Sequence, residues 1–196
     1  MVARVVIRDR GRGVSSADRA AIETAVEEAH RLAGLVQRDA DEIWNQSGRF
    51  RRRRRRRRDA WSGNADFVTW LGTSTRIPLI RRARRRIRKL RRWLDRGRIV
   101  FVAHDSGDRG CAVASRNAFV VLPRRPLRIH LCPNWFDRAP SRQAAILVHE
   151  LVHELGFPHP EGTTNEAEAL DLARRNSRKA RRSPENYEHL YEAYST

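Results

Sequence analysis

Apolar residues recur at helical spacing between Ala17 and Arg38, where Ile22, Val26, Ala29, Ala33 and Val36 share one stripe and Ser15 or Ser16 stands at the capping position. A core-facing first helix is expected there. The pattern is lost from Gln46 to Asn64, through Ser47-Gly48, eight consecutive arginines (Arg51 to Arg58) and Trp61-Ser62-Gly63-Asn64. Like charges at that density repel, so a basic disordered loop is expected at about 47–60. After Pro78 a second helical stripe, Ile80, Ala83, Ile87, Leu90 and Leu94, runs until Gly97.

Three β-prone runs follow, Ile99 to Ala103, Ala118 to Leu122 and Leu127 to Leu131, with Gly107 to Gly110 and Pro123 to Pro126 in the turns. They read as a small mixed sheet. Pro140-Ser141 opens another helix, whose buried side is Ile146, Leu147, Leu151, Val152 and Leu155, and Gly156 is placed to end it in the left-handed conformation. A further helix is expected from Thr163 or Thr164 to about Arg178, and a short one over Glu185 to Tyr194. The class is α+β: N-terminal helices, a small sheet, a motif helix and C-terminal helices. At 196 residues the chain has room for one ordinary core and not comfortably for two, so residues 1–196 are expected to form a single domain.

Charge changes this picture in one place. The formal net charge is +18, and residues 49–98 carry 21 basic residues against Asp59, Asp66 and Asp95, which accounts for all of it. Such a field attracts polyanions, and Arg51 to Arg58 with the Arg81 to Arg92 helix are candidates for contact with nucleic acid or an anionic surface. The competing reading is a core helix with a solvated arginine face, in a chain whose 41 basic residues include only two lysines, Lys89 and Lys179. Near the start, Val5, Val6 and Ile7 are broken at once by Arg8, which is no signal-peptide core, and no stretch is apolar for the ~18 residues of a membrane span. Cys111 and Cys132 can bridge, but their spacing is no metal-binding pattern.

The candidate chemistry lies in His149-Glu150-Leu151-Val152-His153-Glu154-Leu155-Gly156-Phe157-Pro158-His159. Residues four apart on a helix share a face, so His149 and His153 can aim ring nitrogens at one Zn2+ ion. Glu150 is placed to take a proton from a zinc-bound water, acting as general base and then as donor to the leaving amine. A catalytic zinc keeps three protein ligands and one open position. The helix break at Gly156 lets His159 return as the third, which predicts a zinc-dependent metalloendopeptidase acting on protein or peptide.

The spacing HExxHxxGxxH resembles that of the metzincin peptidases, although the only methionine is Met1 and their methionine turn has no counterpart. Other stretches resemble the lysine-specific metallo-endopeptidase group of aspzincins. These are Trp70-Leu71-Gly72, Ile129-His130-Leu131-Cys132-Pro133-Asn134-Trp135-Phe136, and Asn176 to Leu190 with Glu185-Asn186-Tyr187-Glu188. The likeness covers roughly residues 65–192 and implies a zincin-like fold with His149, His153 and Glu150 in the roles above. It also implies an aspartate as third ligand, where this chain has Asn165, and a tyrosine where it has Glu168. His159, Glu161 and Glu166 therefore stand as alternatives for the third ligand, and Thr163-x-x-Glu166 reads equally as a capping box. Tyr187, Tyr191, Arg128 or the metal alone are the alternatives for stabilising an oxyanion.

Overall fold

The computed structural model describes residues 2–112, 116–121, 127–160 and 163–195. Strand β1 (Arg4–Arg10) leads into α1 (Ser16–Trp44), followed by α2 (Phe50–Gly63), α3 (Ala65–Leu71) and α4 (Ile77–Arg96). Then come β2 (Arg98–His104), β3 (Ala118–Val120), β4 (Leu127–Leu131) and the single turn α5 (Pro133–Phe136). The motif helix α6 (Pro140–His153) precedes α7 (Glu166–Arg175), α8 (Ser177–Ala180) and α9 (Pro184–Ala193).

The sheet runs β1-β2-β4-β3, with β1, β2 and β4 parallel and β3 antiparallel on the outer edge of β4. The mixed sheet is as the sequence predicts, but β1 is an addition. Its apolar run is only three residues long and its flanks are arginines, too little for a period-2 signal; pairing of Val5 with Ile99 and Ile7 with Phe101 fixes it. Strand β2 is buried from Ile99 to His104, which is why it reads as an unbroken apolar run.

Helix α1 starts in a full capping box between Ser15 and Asp18 and runs past the expected end at Arg38, because Ala40 and Ile43 prolong its buried stripe. It packs against α4 and α6 and forms the spine of the core. Helix α4 buries the expected Ile80, Ala83, Ile87, Leu90 and Leu94. Its arginines lie on the other faces: Arg81, Arg82, Arg85, Arg88 and Arg92 are exposed, and Arg84, Arg86 and Arg91 are half-buried, with Arg84 paired to Asp41 and Arg91 to Asp95.

The expectation of a disordered loop at 47–60 is corrected: Phe50–Gly63 is helix. Arginine is a good helix former, and the exposed guanidiniums shed their mutual repulsion into water. Tertiary anchors complete the explanation. Trp61 is buried, stacks on Phe67 at 5.3 Å and donates to the Gly72 carbonyl, while the Arg57 guanidinium lies 3.8 Å over the Trp44 ring. One bond joins Cys111 to Cys132, pinning the loop after β2 to the end of β4.

Two of the segments that resemble aspzincins, Trp70 to Gly72 and Asn176 to Leu190, pack on one another. Gly72, with φ +83°, sits where a Cβ would come 2.3 Å from Ser177 Oγ and 2.5 Å from the Ala173 carbonyl, so only glycine fits. Asn186 Nδ2 donates to the carbonyls of Trp70 and Ala169, and Trp70 stacks on His189 at 4.9 Å. These contacts fix α9 against α3 and α7, and α9 in turn lies along α6.

Candidate metal centre

Helix α6 buries Ala144, Ile146, Leu147, Val148, Leu151 and Val152, which orients its remaining face, with His149, Glu150 and His153, toward a cleft of ≈ 880 Å³. The helix ends as expected. Gly156 has φ +81°, its N–H bonds the His153 carbonyl, and the chain reverses through Phe157 and Pro158 to bring back His159. The ligand nitrogens of His149, His153 and His159 lie within 4.8 Å of one another, and this is the one group of three or more metal-binding side chains among the described residues.

Each ring is held at Nδ1 by an acceptor. His149 Nδ1 donates to Glu188 at 2.6 Å, His153 Nδ1 to the Phe157 carbonyl at 2.9 Å, and His159 Nδ1 to Glu185. A carbonyl and two carboxylates only accept, so each Nδ1 carries a proton and Nε2 is the nitrogen left to bind a metal once it is deprotonated. The Nε2 atoms of His149 and His153 are 3.2 Å apart. Two ligands at the usual Zn–N distance in a tetrahedron are separated by about 3.3 Å. Donor type, number, tautomer and spacing fit zinc.

Electrostatics keep the acceptors charged. Burial alone would raise Glu188 and Glu185, but the hydrogen bonds and charges of His149 and His159 hold both below the usual carboxylate range. Arg142 adds a 2.6 Å ion pair to Glu188, forming a chain from Arg142 through Glu188 to His149. For His149, burial acts downward, yet Glu188 and then Glu150 and Glu185 outweigh it and raise the pKa to about 9, so a metal that binds this ring displaces a proton from Nε2. His153 goes the other way, to about 4, through burial and the neighbouring rings. Glu150 is 4 % exposed, and burial pushes it up to about 7, against the pull of His149.

Of the alternatives for a third ligand, Glu166 lines the cleft but is outside the histidine group, and Glu161 lies outside the described residues. The expected capping box is displaced: Asn165, not Thr163, caps α7, and Glu168, not Glu166, reaches back, to Thr164. Tyr187, Tyr191 and Arg128 do not line the cleft, and both tyrosines are fully buried. Arg116 and Arg142 line it instead; Arg142 is held by Glu188 and Glu192, whereas Arg116 has no carboxylate partner among the described residues. Glu185 and Glu188 went unassigned at the sequence level. Apart from lying in a stretch that resembles aspzincins, their signal is the i, i+3 spacing on a helix, which places two carboxylates on one face.

No protein-family model matches the chain, and no curated protein matches it. Solved structures do. A zinc peptidase from Grifola frondosa superposes with a TM-score of 0.66 over 93 % of this chain and 99 % of that one, at 17 % identity. The fold is zincin-like α+β. At that identity the likeness speaks for the fold, and the chemistry rests on the side chains.

Proposed function

We propose that this chain is a zinc-dependent metallopeptidase, a single catalytic domain in which His149, His153 and His159 hold the metal and Glu150 is the general base. The observation that carries the reading is the set of three imidazoles, each held at Nδ1 and with ligand nitrogens within 4.8 Å of one another, in an open cleft that Glu150 shares. The zinc peptidase from Grifola frondosa supports the reading through its fold. When bound, zinc supplies a Lewis acid that polarises the scissile carbonyl and lowers the pKa of water toward about 7.

The protein's own residues do the rest. Glu150 accepts the proton of the attacking water and passes it to the leaving amine nitrogen. Ala118, Phe119 and Val120 of the edge strand β3 line the cleft, and their outer backbone groups can pair with an extended peptide across the metal-binding helix. Arg116, on the same side, offers positive charge to an oxygen that gains negative charge during attack.

The test is Glu150→Gln in protein purified without chelator. It is expected to retain one zinc per chain while peptide hydrolysis falls by about 10²- to 10⁴-fold. Full proteolysis by this variant would falsify the assignment, and a wild-type chain without stoichiometric zinc would sink the centre itself.

A further inference from the structure

A second pocket, of ≈ 220 Å³, opens beside the metal-binding loop and is lined by Leu79, Phe157 and five arginines: Arg82, Arg86, Arg178, Arg181 and Arg182. No carboxylate lines it, and among the described residues none of the five forms an ion pair with one. The contrast on α4 itself is sharp, since Arg84 and Arg91 each have an aspartate. Other contacts hold the walls in place. Arg86 donates to the Arg181 carbonyl, and the guanidiniums of Arg86 and Arg182 stand 4.4 and 5.1 Å over the Phe157 ring.

Arg181 is 1 % exposed. Its Nε and Nη2 donate to the carbonyls of Leu71, Gly72 and Ser74, while its Nη1 is buried with no hydrogen-bond partner. A buried guanidinium N–H without an acceptor costs free energy, and so does gathering five cations around a small volume. Binding a compact anion with several acceptor oxygens offsets the repulsion among the cations and supplies acceptors to the guanidiniums that line the pocket, Arg181 among them.

We propose that this pocket binds a small multivalent phosphate-type oxyanion. The size limits the ligand: a pocket of ≈ 220 Å³ suits a compact ion on the scale of phosphate or pyrophosphate. Charge sets the class, because guanidinium forks match tetrahedral oxyanions and a single carboxylate brings too little charge and too few acceptors for five of them. The site is separate from the cleft and does not depend on the peptidase reading.

The experiment is calorimetric titration of the full chain with sodium pyrophosphate, at fixed ionic strength balanced with chloride. A saturable one-site isotherm is expected. Arg178 and Arg182 are exposed and make no backbone hydrogen bonds through their side chains, so the double variant Arg178→Ala/Arg182→Ala is expected to fold, as checked by circular dichroism, and to bind about tenfold more weakly or worse. Removing the same charge from α2, as Arg52→Ala/Arg55→Ala, is expected to change binding by less than about twofold, since exposed charges at a distance are screened. Equal weakening in both variants, or no saturable heat, overturns the proposal. Loss of binding in His149→Ala also overturns it, by relocating the anion to the metal centre. Displacement of pyrophosphate by a single-stranded oligonucleotide at equal phosphate concentration overturns it in favour of polymer binding.

Discussion

Glu188 accepts from two donors at 2.6 Å, His149 Nδ1 and Arg142 Nη2, so its carboxylate both holds the Nδ1 proton in place and connects the imidazole to a cation. Replacing it by glutamine keeps the shape and removes the charge. Glu188→Gln is expected to weaken zinc binding by 10- to 100-fold, the usual effect of losing such a partner, measured by competition with a chromogenic chelator. Glu166→Ala is the matching control and is expected to leave zinc affinity unchanged, since Glu166 stands apart from the three histidines. The grouping of His149, His153 and His159 was legible in the sequence because four residues make about one helical turn and Gly156 permits the reversal. Glu185 and Glu188 were not, because their partners lie 26 and 39 residues earlier and two glutamates on a helix look like any solvated face.

At the level of elements, the link between α6 and His159 is the sensitive joint. Gly156 needs φ +81°, yet a Cβ there meets nothing within 4 Å. Gly156→Ala is therefore a purely conformational change, expected to cost about 1–2 kcal/mol in chemical denaturation and to weaken zinc binding in parallel, because relief of the strain moves His159. Helix α2 teaches the opposite lesson. A run of eight arginines carries no hydrophobic period, so the sequence pattern pointed away from a helix that its own Trp61, together with Trp44 and Phe67 outside it, anchors to the core. Strand β1 escaped notice for a similar reason: its stability comes from a partner almost a hundred residues away.

For the whole molecule, the covalent bond between Cys111 and Cys132 closes a separation of 21 residues and constrains the unfolded chain. Its reduction is expected to lower stability by about 3 kcal/mol, seen as a shift of the denaturation midpoint on adding a reductant. The concentrated charge gives a second expectation. Self-repulsion among residues 49–98 should make the chain more stable at moderate salt than at very low salt, checked by thermal melts across that range. Composition revealed this asymmetry at once, whereas the gathering of Arg82 and Arg86 with Arg178, Arg181 and Arg182 around one cavity required the packing of α4 against the α8 region.

The order of synthesis gives the α9 anchors a further meaning. Ribosomes deliver His149, His153 and His159 well before Glu185 and Glu188, so for part of its birth the chain carries three imidazoles with nothing to fix two of their tautomers. The centre matures only when α9 emerges and docks on α6. On the proposed zinc reading, a stalled or truncated nascent chain ending before residue 185 is expected to bind zinc poorly and to leave its neighbours on the polysome uncut.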